Sequence, residues 1–132
     1  MLIPTIGRRK LLGLLSLMVV LSGCVEEPGE AQKTLEAASR TMQPADPQLA
    51  EIYNRSCRSC HTIAATGSPL TGDVQQWSVR LEKGMDTLVD NAVSGFGGMP
   101  PFGMCMDCEV EDFEALINFM SQPLTPESAP DA

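Results

Sequence analysis

Residues 57–61 read Cys-Arg-Ser-Cys-His, and no other stretch restricts the possible folds of this chain so strongly. Two thiols three residues apart can each add across a vinyl group of a haem, and the imidazole that follows is then aimed at the iron. This is the pattern of c-type haem attachment. His61 is the only histidine among 132 residues. The segment leading into the motif reads as a helix: Asp46-Pro47 pairs a good cap with a good first helical residue, and Leu49, Ile52 and Tyr53 form an apolar stripe. Two other uses of the cysteines stay open at this point. Cys57-x-x-Cys60 with Cys105-x-x-Cys108 has the spacing of a four-cysteine zinc site. Such a site leaves His61 idle and asks for strands and turns around each pair, whereas these pairs border helices. A thioredoxin-like pair needs a sheet, and no segment alternates in the manner of a strand.

The N-terminal residues bear on the compartment. Arg8, Arg9 and Lys10 precede an apolar run from Leu11 to Leu21 broken only by Gly13 and Ser16. Positive, then apolar, then small is the order of a secretory signal, and the run is shorter than the roughly 20 residues of a membrane-spanning helix. Its end, Leu21-Ser22-Gly23-Cys24, resembles a bacterial lipobox. That resemblance implies cleavage before Cys24, lipidation of Cys24, and a membrane anchor on the periplasmic side of the cell envelope. Val25 stands where an Asp often retains lipoproteins in the inner membrane, which leans the expectation toward the outer membrane. Cleavage leaves six basic against seventeen acidic residues, a net charge of −11. A chain so acidic does not seek nucleic acid or anionic lipid by electrostatics. Each of the five cysteines then has a use. Cys24 takes lipid, Cys57 and Cys60 take haem, and Cys105 with Cys108 are a pair that an oxidising compartment allows to join.

The organisation expected is a signal peptide over 1–23, a lipidated N-terminus and flexible tether over 24–46, a folded domain over 47–121 and a disordered tail over 122–132. Within the tether, Thr34 to Met42 offers a weak helix with Leu35, Ala38 and Met42 on one side. Within the domain, Asp73 is placed to cap a helix bearing Val74, Trp77 and Leu81 that ends at Gly84. Asp86 is placed to cap another bearing Leu88, Val89, Ala92 and Val93 that ends at Gly95. A last helix runs from about Glu109 to Met120 with Phe113, Leu116, Ile117 and Met120 at three- and four-residue steps. The fold class is all-α, about four short helices around one covalently attached haem. The prosthetic group compensates for a core too small and too poor in aromatic residues to be stable alone.

An iron held by His61 asks for a sixth ligand, and His with Met is a known pairing. Met85, Met99, Met104, Met106 and Met120 are the candidates. Met120 belongs to the apolar face of the last helix, Met85 begins a helix, and Met104 and Met106 flank Cys105. Met99 lies in Gly97-Gly98-Met99-Pro100-Pro101, where the glycines allow close approach of backbone to a flat ligand and the prolines fix an extended path and remove two N–H donors. It is the favoured axial ligand.

Taken in order, Gly67-Ser68-Pro69-Leu70-Thr71-Gly72-Asp73, Trp77, Gly84, Gly95-Phe96-Gly97-Gly98-Met99-Pro100-Pro101 and Cys105-Met106-Asp107-Cys108 resemble the cytochrome c₅ branch of the class I cytochromes c, over about Leu49 to Met120. The resemblance implies the small class I cytochrome c fold, His61 and Met99 as axial ligands, and a Cys105–Cys108 disulfide. It further implies a hydrogen bond from the far ring nitrogen of His61 to the Pro69 carbonyl, and Trp77 beside the haem and within reach of a propionate. The lipobox and long tether depart from soluble members of that branch. The function implied is one-electron transfer to and from redox partner proteins of a respiratory chain, without catalysis of its own. The competing expectation is an anchored haem subunit of a larger respiratory or redox complex.

Overall fold

The computed structural model describes residues 29–124. The signal segment, Cys24, the residues up to 28 and residues 125–132 of the tail lie outside the described residues. The described chain is helical, and its only extended pairing is an isolated bridge between Phe96 and Met99. Among the described residues six α-helices follow in order: α1 Glu30–Ser39, α2 Pro47–Ile52, α3 Arg58–His61, α4 Val74–Leu81, α5 Met85–Ser94 and α6 Val110–Met120.

Local chemistry accounts for most of the boundaries. Asp46 accepts the Leu49 N–H at 2.8 Å and Pro47 takes the first helical position, so α2 starts where the sequence places it. Asp73 accepts the Gln76 N–H at 3.1 Å and starts α4. Helix α6 begins with a reciprocal box in which Glu109 and Asp112 satisfy each other's backbone N–H groups. The expected cap at Asp86 is corrected: α5 begins at Met85 after Gly84, whose φ of 87° turns the chain. Asp86 instead places its charge in the first turn, where the helix dipole favours it.

Helices α2 and α3 are joined by a single π turn, Tyr53–Cys57, so that residues 47–61 are one helical run with a local widening. The run buries Tyr53, Cys57 and His61 and leaves Cys60 exposed. It packs on α6, and the Tyr53 and Phe119 rings meet edge to face at 5.0 Å. Phe113, Leu116, Ile117 and Met120, the stripe read from the sequence, are all buried with Trp77, Leu88, Val89 and Ala92. Each buried Val, Leu, Ile, Phe or Met side chain among them contributes roughly 1.5–3 kcal/mol.

The segment expected to be a flexible tether is, from Glu30 onward, an ordered part of the fold. Helix α1 starts four residues before the expected weak helix, and Ala38, Ser39 and Met42 are buried. The cause is tertiary: Ser39 Oγ donates to the Thr71 carbonyl at 2.5 Å, and Gln43 and Asn54 exchange two 3.0 Å hydrogen bonds. At the other end of the described chain, Leu124 lies over Gly72. A Cβ on Gly72 would come within 2.5 Å of Leu124 Cδ2 and 2.9 Å of Met42 Sδ, at a backbone φ of +90°. Gly72→Ala is therefore expected to cost about 1–2 kcal/mol in backbone strain alone. In thermal unfolding this corresponds to a fall of roughly 5–15 °C, while unchanged stability would contradict the packing described.

Candidate haem-binding site

The carbonyls of Pro69, Leu70 and Thr71 are each engaged by a side chain from a different element. His61 Nδ1 lies 2.8 Å from the Pro69 oxygen, Trp77 Nε1 donates to Leu70 at 2.9 Å, and Ser39 donates to Thr71. A carbonyl can only accept, so Nδ1 of His61 carries its proton and Nε2 holds the lone pair. Burial pushes the His61 pKa down, opposed by the Pro69 bond and assisted by Arg80, which keeps the ring in the neutral form that a metal requires. The Trp77 ring stacks on the imidazole, centroids 5.8 Å apart and planes 27° from parallel. The ring of His61 is thus held at its edge by a hydrogen bond and on one face by an indole. The Trp77 N–H is engaged by the Leu70 carbonyl.

His61 and Met99 line one cavity of about 440 Å³. Trp77, Leu88, Ala92, Ile117 and Met120 form its apolar walls. Met99 reaches it from a tight reversal in which Phe96 and Met99 exchange backbone hydrogen bonds of 2.9 and 3.1 Å. Gly95, with φ +83°, permits this reversal, since a Cβ there would lie 3.0 Å from the Met99 oxygen and the Pro101 nitrogen. Cys57 and Cys60 sit on the helical turn that carries His61, one buried and one exposed, and neither is in a disulfide. Burial pushes the Cys57 thiol up to about 11, partly opposed by Arg55. Neither thiol is among the residues that line the cavity; the two reach the site through the helical turn they share with His61, whose neutral, oriented imidazole and apolar cavity suit a flat, apolar, iron-bearing macrocycle.

Cys105 and Cys108 are brought to disulfide distance, their Cα atoms 5.4 Å apart. The four cysteines are not assembled as a zinc site. The cysteine loop is fastened to the haem-motif helix by Arg55, which holds both oxygens of Asp107 at 2.9 and 2.8 Å and lies 3.3 Å from Cys105 Sγ. Between the Met99 loop and this one, Phe102, Gly103 and Met104 all have left-handed φ values of 59°, 54° and 67°. The Phe102 ring packs toward Phe113, centroids 6.5 Å apart, which helps hold the turn.

Arg80 and Lys83 also line the cavity and were not singled out from the sequence. Arg80 stands three residues after Trp77 on α4, a spacing readable in the sequence, whereas Lys83 lies in the turn beyond the helix end.

A family model described as cytochrome c oxidase, cbb3-type, subunit III, matches residues 44–120. Cytochrome c5 of Ectopseudomonas mendocina is 34% identical over 73 residues, which are 54% of this chain and 84% of the relative. Cytochrome c5 of Azotobacter vinelandii is 33% identical over 73 residues, 54% and 88% of the two chains. Cytochrome c-555 of Prosthecochloris aestuarii is 36% identical over 47 residues, 36% of this chain and 48% of the relative.

Arg55 holds the Asp107 carboxyl below its ordinary value of 3.8. A carboxyl with a depressed folded-state pKa stabilises the fold fully above its unfolded pKa and loses that contribution as pH falls through the folded one. Asp107→Asn should therefore melt below the parent at about pH 6, with the gap closing as the pH falls toward 3 and below. A gap independent of pH would indicate that the charge pair contributes nothing.

Proposed function

The chain belongs to the class I cytochromes c, in the cytochrome c5-like branch, and on that premise we propose a membrane-anchored one-electron carrier with His61 and Met99 as axial ligands. That it carries a covalent c-type haem and transfers electrons follows from the family. The attachment residues and axial ligands are our assignment. The observation that carries it is the shared cavity: His61, with Nδ1 committed to Pro69, and Met99, from the glycine-proline loop, are on its walls.

When bound, the haem supplies one-electron chemistry at iron. Cys57 and Cys60 would hold it by thioether bonds. His61 offers Nε2, and its bond to Pro69 raises the basicity of that nitrogen and fixes the ring plane. Trp77, Leu88, Ala92 and Ile117 exclude water. Arg80 and Lys83 are the cations of the cavity wall that would face the propionate charges. Two protein ligands leave no open position for substrate, which favours electron transfer over catalysis at the metal.

The anchor rests on the lipobox-like Leu21-Ser22-Gly23-Cys24 and on the signal-like residues before it. Among the described residues no helix is long and apolar enough to cross a membrane. Lipid on Cys24 would hold the protein at the periplasmic side of the cell envelope, with the outer membrane favoured over the inner by Val25. Its partners would be respiratory redox proteins. The description of the matching family model supports a second reading, a haem subunit working inside a larger redox complex; copurification with a detergent-solubilised oxidase or reductase distinguishes it from a free carrier.

Pigment should stay with the denatured chain through acid-acetone extraction, and the reduced protein should resist carbon monoxide at neutral pH. Pigment lost to the solvent would refute the thioether assignment. Rapid carbon monoxide binding would refute a stable Met99 ligand. Separately, Cys24→Ser should move the protein from the membrane fraction to the soluble one, since each buried acyl methylene contributes about 0.8 kcal/mol to anchoring. Undiminished retention would rule the lipid anchor out.

A further inference from the structure

Helix α1 precedes residue 44, where the matched family domain begins. Its polar contacts fall on the segment that follows the haem motif. Glu36 Oε2 accepts the Ala64 N–H at 3.0 Å, three residues after His61. Ser39 Oγ donates to Thr71, and the Thr71 N–H donates to the His61 carbonyl at 2.7 Å. The Thr71 hydroxyl is bonded to Tyr53 at 2.9 Å, and Thr71 and Ser39 are wholly buried. Arg58, inside the haem motif, donates to the Arg40 carbonyl at 2.6 Å just after the helix. One end of the loop 63–71 is therefore held by Glu36 and the other by Ser39, and Pro69 lies two residues from the latter hold.

We propose that Glu36 and Ser39 are positioning residues for the axial histidine. Helix α1 is a strap across the loop that carries the Pro69 carbonyl, and it sets how firmly that carbonyl holds His61 Nδ1–H. The proposal rests on His61 as an iron ligand. The Glu36 carboxyl is suited to this role because the Ala64 N–H draws its pKa down, with Arg40 adding to the effect, so it remains an ionised acceptor at neutral pH. Loosening the loop weakens the Nδ1–H···O bond and makes the imidazole a less basic ligand, which favours the reduced iron.

The test uses full-length holoprotein carrying Glu36→Ala, Ser39→Ala, Glu36→Gln or Gln43→Ala. It is read by redox titration and by proton NMR of the His61 ring in the oxidised state. Glu36→Ala and Ser39→Ala should each raise the reduction potential and speed exchange of the Nδ1 proton roughly fivefold, as expected for one lost net hydrogen bond. Glu36→Gln keeps an oxygen for the Ala64 N–H and should stay near the parent in both readouts. Gln43→Ala removes the bonds to Asn54 that hold the segment after α1, away from the ligand loop, and should lower melting temperature without moving potential or ring signals. Equal losses of stability in all variants, with potential and ring signals unmoved, would reduce α1 to a cover and overturn the proposal. So would a Gln43→Ala shift as large as that of Ser39→Ala. A parent protein lacking iron-shifted His61 signals would instead overturn the ligand assignment itself, a result visible before any variant is made.

Discussion

A loop can orient a ligand only if its own backbone is held, and here the holding is done carbonyl by carbonyl. Pro69, Leu70 and Thr71 accept in turn from His61, Trp77 and Ser39, and Gly72 donates to the Met120 oxygen at 2.8 Å. Leu70 and Thr71 are wholly buried, so an unpaired carbonyl there would cost about 1–3 kcal/mol. The haem-motif helix, α4, α1 and the end of α6 therefore all meet at four consecutive residues. The imidazole tautomer, the stacking of Trp77 and the docking of the N-terminal helix are consequences of this one segment.

The Met99 side of the cavity is held differently. It relies on backbone turns available to glycine, on two prolines, and on a left-handed turn at Phe102–Met104 that joins the Met99 loop to the cysteine pair. Residues other than glycine enter that region at an energetic cost, of order 1–3 kcal/mol. The neighbouring holds, Arg55 on Asp107 and buried Cys105, make the cost tolerable. One wall thus rests on hydrogen bonds to a buried loop, and the other on covalent and charge contacts at a more exposed one.

What the sequence made legible were features whose chemistry is local. Asp46-Pro47 and Asp73 announced their helices because a cap bonds within three residues, and the stripe of α6 announced its buried face by spacing. The Cys57–His61 motif and the glycine-proline loop were readable because few other roles demand such residues. What escaped depends on partners distant in the chain. Nothing near Ser39 reveals that it will meet Thr71, 32 residues on, and so α1 read as tether. The π turn at Tyr53–Cys57 has no composition of its own. Gly84, read in the sequence only as the end of the preceding helix, also opens α5, so Asp86 falls inside its first turn.

The early start of α1 also changes the physical reach of the molecule. A flexible chain from Cys24 to residue 46 would let the domain wander about 25 Å from its anchor. With the chain ordered from Glu30, the six links that separate it from Cys24 could span no more than about 20 Å. On the anchor proposed at Cys24, the haem domain would be confined to a thin layer over the bilayer. It would then meet partners by lateral diffusion in that plane, at a local concentration set by the short connection more than by affinity. A partner whose own redox centre stands well above the membrane would be out of range, and one that opens near the surface would be met repeatedly.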